Sequence, residues 1–345
     1  MKKILYFFAV MAIAIIFTSG RPEGKRYALY GVAFYNLENM FDTIHDSGKN
    51  DWEYTPEGTN KWGTMKYKNK LANMSRVLSE LCTDKLPYGA AVIGMAEVEN
   101  RRVLEDLIEQ PALKNRNYQI IHYEGPDRRG IDCALFYNPK FFQVENSRLI
   151  PYVYPNNDTT YATRGFLLVS GKLANENTHV IVNHWPSRGA GSEYRELAGR
   201  QVRAIKDSIQ QLDPDAKIII MGDMNDDPNN KSMTEALGCK HKKNNVGKQE
   251  LYNPWWDMLY KTGQGTLLYD GKWNLFDQIV FTGNLLGDDR STLKFHKNEI
   301  FLKDYLIQQE GKFKGSPKRT HASGIWTNGY SDHLPTMIYL VKEVK

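Results

Sequence analysis

The sequence predicts an α/β protein built from two β-sheets packed face to face, with helices on the outer faces. Three observations carry that expectation. Strand-like apolar runs dominate the chain, amphipathic helical stripes are few, and no Pro/Gly/Ser linker, fixed-period repeat or low-complexity tract divides it. The strands read, in order, as Leu29–Tyr35, Ala91–Ala96, Tyr118–Tyr123, Cys133–Tyr137, Phe166–Leu173, Val180–Val182, Ile218–Met221, Ile279–Phe281 and Thr336–Leu340. Their β-branched, aromatic and small apolar residues suit a pleated, buried surface. Helical spacing recurs in Leu71, Met74, Leu78 and Leu81, and again in Tyr194, Leu197, Ala198, Ile205, Ile209 and Leu212. A doubly wound sheet needs a crossover helix for nearly every strand, and these stripes are too few for that. A two-sheet sandwich fits the pattern.

Residues 21–345 are enough chain for one large sandwich, so a single domain is expected. Ahead of it, Lys2-Lys3, the apolar stretch Ile4 to Phe17 and the small residues Thr18-Ser19-Gly20 make a signal-peptide pattern over residues 1–20. That pattern predicts an exported, periplasmic or secreted protein. The stretch is short for a transmembrane helix, so an uncleaved anchor is the lesser reading and no stable span is expected after cleavage. No cysteine follows the stretch to accept a lipid.

The formal charge is +5, from 45 Lys and Arg against 40 Asp and Glu, which is only mildly basic. A local patch would still steer phosphate. Two basic clusters, Lys240-His241-Lys242-Lys243 and Lys312-Phe313-Lys314 through Lys318-Arg319, read as solvated loops. Cys82, Cys133 and Cys239 are widely spaced and read as small core residues without catalytic work; one disulfide is compatible with export, but the sequence names no pair.

The chemistry sits at strand ends. Ile218-Ile219-Ile220-Met221 runs into Gly222-Asp223-Met224-Asn225, and Ser331-Asp332-His333 precedes the last strand. The first strand closes on Asn36-Leu37-Glu38-Asn39, the second on Glu97, and His179 to Asn183 on His184, while Asp277 stands just before Gln278-Ile279-Val280-Phe281. Any one of these is compatible with an ordinary polar turn. Buried carboxylates, amides and imidazoles are costly without partners, so a whole set at strand ends implies convergence on a shared ligand.

The order Asn-x-Glu, Glu, His, Gly-Asp-x-Asn, Asp, Ser-Asp-His resembles the endonuclease/exonuclease/phosphatase family of deoxyribonucleases, apurinic endonucleases, neutral sphingomyelinases and inositol polyphosphate 5-phosphatases. The likeness runs from about Tyr30 to Tyr339. Arg129-Gly130-Ile131-Asp132 and Asn183-His184-Trp185-Pro186-Ser187-Arg188 look like the bacterial exported members. Glu38 replaces an aspartate found in some members, and Met224 replaces a common phenylalanine. The resemblance implies a four-layer α/β/β/α sandwich of two packed mixed sheets, with the active site at one rim.

It also implies roles. Glu38, Glu97 and Asp332 would hold Mg²⁺ or Mn²⁺, as hard oxygen ligands without clustered cysteines favour. Asp223 would orient or deprotonate the attacking water, and Asn225 would hold that water or a phosphate oxygen. Asp277 would fix His333, which serves as base or as electrostatic stabiliser. His184 would contact the scissile phosphate or protonate the leaving oxygen. Asn36 and Arg188 are the substrate-side candidates, ahead of Arg129 and Arg164, whose guanidinium forks also match phosphate. Trp185, Trp255, Trp256 and Trp326 read as core, with stacking on a base or headgroup the alternative.

The expected protein is a monomeric, metal-dependent hydrolase of phosphodiesters, with nucleic acid the first substrate. A phospholipid or sphingomyelin-type ester and an inositol or sugar phosphate are the alternatives on the same site. A non-catalytic binding protein on this scaffold is the alternative of a different class, and it would be expected to have lost one of these acids or histidines.

Overall fold

A computed structural model describes residues 25–269 and 271–344; the leader expected over residues 1–20 lies outside them. The first sheet is built around β1 (Arg26–Met40), whose side chains divide by parity. Val32 and Phe34 point into the space between the sheets, while Ala33, Tyr35 and Leu37 point outward under the helices. Next to it β2 (Val92–Val98) runs parallel, followed by β4 (Asp132–Tyr137) and β3 (Gln119–His122), each antiparallel to its neighbour. On the other side β13 (Thr336–Val344) and then β12 (Lys294–Ile300) add antiparallel strands.

The second sheet has the order β5 (Phe142–Ile150), β6 (Phe166–Leu173), β7 (Glu176–His184), β8 (Lys217–Asp223), β11 (Asp277–Thr282), β10 (Leu251–Tyr252) and β9 (Cys239–Lys240). Its central pair, β7 and β8, is parallel, as β1 and β2 are in the first sheet. Parallel neighbours need a crossover, and α1 (Thr64–Glu80) lies between β1 and β2 in the chain as α3 (Ser192–Leu212) lies between β7 and β8.

The layers follow from where the apolar faces go. Met74, Val77 and Leu78 of α1, with Val103, Leu104 and Leu107 of α2 (Arg101–Ile108), cover the first sheet. Ala198, Val202, Ile205 and Ile209 of α3 cover the second. Phe34, Leu135, Val182, Met221, Phe281 and Leu340 fill the space between the sheets. This is the four-layer α/β/β/α sandwich expected from the sequence.

The sequence missed β5 and β12, both edge strands. FQVENSRLI and KFHKNEI carry charges on their solvent face, which suppresses the apolar signal, and charged edges also discourage stray pairing. It also missed α2, whose short RRVLEDLI buries only Val103, Leu104 and Leu107. Cys82, Cys133 and Cys239 are all free and buried, so no disulfide forms among them, and burial pushes the Cys82 thiol up to about 12. Trp185 and Trp255 are core residues; Trp256 and Trp326 are half-buried. No helix among the described residues is long and apolar enough to cross a membrane.

One contact sets how closely the sheets approach. Gly94 of β2 faces β8, and a Cβ built there would lie 2.4 Å from Met221 Sδ. Gly94→Ala is therefore expected to destabilise by about 1–3 kcal/mol through overpacking. A denaturation midpoint equal to that of the unaltered protein would show that the sheets have slack at this point.

Candidate active site

Strand polarity gathers the polar residues at one rim. β1, β2, β7 and β8 all end there, at Asn36 and Glu38, Glu97, His184 and Asp223, while antiparallel β11 begins there at Asp277. In the second sheet, His184 pairs with Asp223 and Asp223 with Asp277, so three neighbouring strands present imidazole, carboxylate and carboxylate side by side. The regular ladder breaks at the same level in the first sheet. Register shifts fall between Asn36 and Met40 and between Ala96 and Val98, and Glu38 (φ 48°), Asn39 (φ 54°) and Glu97 (φ 61°) take left-handed backbone conformations. Such bulges re-aim a side chain from the alternation of its strand.

Asn36 joins the two sheets. Its Nδ2 donates to Asp223 Oδ2 at 3.0 Å and stands 3.5 Å from Glu97 Oε1, while its Oδ1 accepts from the Glu38 N–H at 2.9 Å. Its carbonyl accepts from Ser331 Oγ at 2.7 Å, and that hydroxyl accepts in turn from the His333 N–H at 3.1 Å. Ser331 thereby docks the loop before β13 onto the end of β1.

His333 Nδ1 lies 2.7 Å from Asp277 Oδ2, and its Nε2 faces Asp223 Oδ2 at 3.8 Å. Ligand atoms of Asp223, Asp277 and His333 all fall within 4.8 Å of one another. Burial alone would lower the imidazole, but Asp277 and Asp223 overcome it and hold His333 well above its ordinary value, so the ring is a cation. His184 goes the other way. Burial, then the charges of Arg164 and Arg129, hold it well below its ordinary value, with Nε2 at 3.7 Å from Asp223 Oδ2 and 3.8 Å from Glu97 Oε1. Asp223 thus sits between one charged and one neutral imidazole.

The expected metal acids are not gathered as one shell. Glu38 and Asp332 are joined by Arg319, whose Nε donates to Glu38 Oε1 at 3.0 Å and whose Nη2 donates to Asp332 Oδ2 at 2.9 Å. Glu38 Oε2 also accepts from the Thr320 N–H at 2.7 Å. Behind them the buried Lys70 ammonium donates to Thr320 Oγ1 at 2.6 Å, and burial pushes it down to about 8 against the pull of Glu38 and Asp332. Burial, then the charge of Asp332, pushes the Glu38 carboxyl up to about 7. Glu97 is different. It accepts from the Asn39 N–H at 2.8 Å and has no cationic side chain bonded to it. Hard oxygens crowd this part of the rim, with no cationic side chain bonded to Glu97 and with Glu38 forced toward protonation, and that is donor chemistry suited to a divalent cation.

The sequence profile of the endonuclease/exonuclease/phosphatase family matches residues 31–342. The chain belongs to the endonuclease/exonuclease/phosphatase family. Among solved structures it is similar to a family protein of Bacteroides thetaiotaomicron, at 14% identity and TM-score 0.56, with 92% of this chain and 99% of that one covered. TDP2 of D. rerio, complexed with single strand DNA product, matches at 15% identity and TM-score 0.54, covering 90% of this chain and 98% of that one. A mannosyl-6-phosphatase of Bacteroides thetaiotaomicron matches at 14% identity and TM-score 0.54, covering 90% and 99%. At such identities the likeness is one of fold. No curated protein matches the chain by sequence. Membership makes the protein a phosphoesterase of a family that uses divalent metals.

Arg188, expected on the substrate side of the endonuclease/exonuclease/phosphatase site, and Asn225, expected to hold the attacking water or a phosphate oxygen, are bound up in holding its loops. Arg188 donates to the Asn225 carbonyl at 3.2 Å and to Asp227 Oδ2 at 3.1 Å, and its guanidinium lies over Phe276, 4.3 Å from the ring centre. Asn225 (φ 51°) uses one amide N–H on the Trp185 carbonyl at 2.9 Å, and its backbone N–H caps Asp223 Oδ1 at 2.9 Å. Arg164 binds Asp127 and the Trp185 carbonyl, and Arg129 binds Asn39.

Sequence reasoning missed Lys70 and misplaced Arg319. Lys70 lies in an amphipathic helix, where lysine signals solvent. Arg319 lies in a basic run read as a solvated loop, yet it sits on two acids of the rim. By contrast, Lys240 of the other run pairs with Glu250 on the surface as expected.

The 2.7 Å contact predicts that Asp277 and His333 act as a unit. Replacing either one, as Asp277→Asn or His333→Ala, is expected to cost about 2.7–4 kcal/mol, roughly 100- to 1,000-fold in turnover. The double variant should lose little more than one single variant. Fully additive losses in single-turnover rates would break the pairing.

Proposed function

We propose that the protein is a divalent-metal-dependent phosphodiesterase with nucleic acid as its first substrate class, working as a monomer. The carrying observation is Asp223, bonded to Asn36 across the sheets and flanked by a cationic His333 and a neutral His184. Asp223 holds the attacking water and takes its proton. Its Oδ1 is fixed by the Asn225 N–H, which leaves Oδ2 facing the two imidazoles. His333, charged and oriented by Asp277, stabilises negative charge growing on the phosphoryl oxygens. His184, being neutral, assists by donating a hydrogen bond and not by giving up a proton to the leaving oxygen. A cation at Glu97, Glu38 and Asp332 would supply Lewis-acid neutralisation of phosphate oxygens. The signal-peptide pattern over residues 1–20 supports an exported enzyme.

A second reading, a phospholipid-type or sugar or inositol phosphoester, is favoured by the wall beside Asp332. There a pocket of about 450 Å³ is lined by Leu268, Phe313 and Pro317 together with Gln308, Ser316 and Arg319. Its apolar side suits a lipid or a stacked base better than a bare phosphate backbone. A panel of plasmid, oligonucleotide, sphingomyelin, inositol phosphates and an aryl phosphodiester, with Mg²⁺, Mn²⁺ or chelator, separates these readings. Turnover of only the lipid or sugar esters would replace the nucleic-acid assignment. Undiminished turnover in chelator would end the metal requirement.

In the same assay Glu97→Gln is expected to lose activity mainly through metal affinity, with excess Mg²⁺ restoring part of it. Full activity of that variant at limiting metal would remove Glu97 from the ligands. The pH dependence carries a further expectation. Burial, opposed by the His333 charge and reinforced by Asp277, pushes the Asp223 carboxyl up to about 7. A base works when ionised, so kcat/KM should fall as pH drops through about 7. His333 is held in the opposite sense, well above its ordinary value by Asp277 and Asp223 against burial, so its own proton loss is shifted toward higher pH. A pH profile flat from 5 to 8 would take the water-activating role from Asp223.

A further inference from the structure

We infer that His122, Asp132 and Glu124 form a second cation site, of the chemistry that takes zinc, on the helix-covered face of the first sheet. β3 and β4 are antiparallel with His122 opposite Ala134, so His122 and Asp132 share a face with Ala134. Asp132 also pairs with Val98 of β2, and both Ala134 and Val98 enter the core beneath α1 and α2. Asn36 and Asp223 meet across the opposite face, between the sheets. The two groups of residues are therefore separate.

The His122 side chain is 2% exposed and that of Asp132 is 4% exposed, yet His122 Nε2 and Asp132 Oδ2 have no hydrogen-bond partner. Buried polar atoms are rarely left so. The two stand 3.4 Å apart, longer than the usual N–H···O separation of about 2.9–3.0 Å. A tetrahedral zinc with ligands at about 2.0–2.1 Å holds its donor atoms about 3.3–3.4 Å apart. Glu124 completes the set, with one ligand atom from each residue within 4.8 Å of the others; its Oε1 also stands 3.8 Å from Nδ1, the ring nitrogen of His122 turned away from Asp132. One imidazole with two carboxylates is a donor set suited to zinc and poorly matched to magnesium. The nearby Lys49 ammonium is engaged elsewhere, donating to the carbonyls of Gly125 at 2.8 Å and Asp127 at 3.0 Å.

The acidic group of Asp46, Asp51 and Glu99 offers a contrast. Its carboxylates are met by the Asp46 and Asp42 N–H groups, with Asn100, Arg102 and His45 around them, and no atom of it is an unpartnered buried one. Of these two groups, only that of His122 presents open, buried donors. A cation there ties β3 to β4 and braces the 123–131 loop that brings Arg129 to Asn39 at the rim.

The test compares full-length Glu97→Gln protein, which weakens metal binding at the rim, with the same chain carrying His122→Gln as well. After dialysis against Zn²⁺ and removal of loose metal, plasma mass spectrometry should find about one zinc fewer per chain in the double variant. Co²⁺ should give a tetrahedral visible spectrum in the first and not in the second. Should His122→Gln misfold by circular dichroism, Glu124→Gln replaces it; Glu124 is largely exposed, so the fold should persist while zinc affinity falls at least about tenfold. Equal zinc content and equal affinity across these chains, or no zinc bound by Glu97→Gln protein, would overturn the site.

Discussion

The 3.0 Å hydrogen bond from Asn36 to Asp223 ties one sheet to the other at the catalytic rim, and the rest of the site depends on it. It forms only if the two sheets keep a fixed spacing and a fixed slide. The spacing is set deeper in the sandwich, where Gly94 lets Met221 approach without a Cβ in the way. Those two residues lie on the strands that end at Glu97 and Asp223. A change of packing between the sheets is thus carried a few residues along rigid strands to the reacting groups. Close-packed protein interiors transmit such shifts.

The electrostatics rest on burial in the same way. Glu38 and Asp223 are nearly inaccessible, and burial raises both carboxyls above their ordinary values. The protein supplies cations unevenly. His333 is wedged between Asp277 and Asp223, while Lys70 and Arg319 stand around Glu38 and Asp332. Glu97 alone is left with neutral donors. On the proposed reading, that asymmetry separates two halves of the site: proton chemistry beside Asp223 in the second sheet, and cation binding at Glu97 in the first.

Much of this was legible in the sequence because the central strands are buried on both faces. Continuous apolar runs such as Ile218 to Met221 mark the strand, and the first polar residue after the run marks the rim. The positions of Asp277 and His333 were readable for the same reason, since each flanks such a run, while their pairing followed from the family resemblance. The edge strands 142–150 and 294–300 were not, because a solvent-facing strand needs few apolar residues. Lys70 and Arg319 were hidden by distance. Lys70 reaches Thr320, and Arg319 reaches Glu38, across most of the chain, and nothing local to either residue announces the contact. A buried lysine becomes tolerable only once the fold has brought carboxylates to it.

The backbone at the rim shows the same subordination of local preference to the assembled site. Left-handed conformations cost a non-glycine residue about 1–3 kcal/mol, least for asparagine. Asn39 and Asn225 take them at modest cost, whereas Glu38 and Glu97 gain nothing locally from φ values of 48° and 61°. Both glutamates sit where a strand ladder slips, and the slip is what directs their carboxylates toward Arg319 in one case and toward His184 in the other. A regular strand would have sent successive side chains alternately into the core and under the helices, with none along the rim. The strain is therefore the means by which two parallel strands, built to bury apolar residues on both faces, come to present acids at their ends.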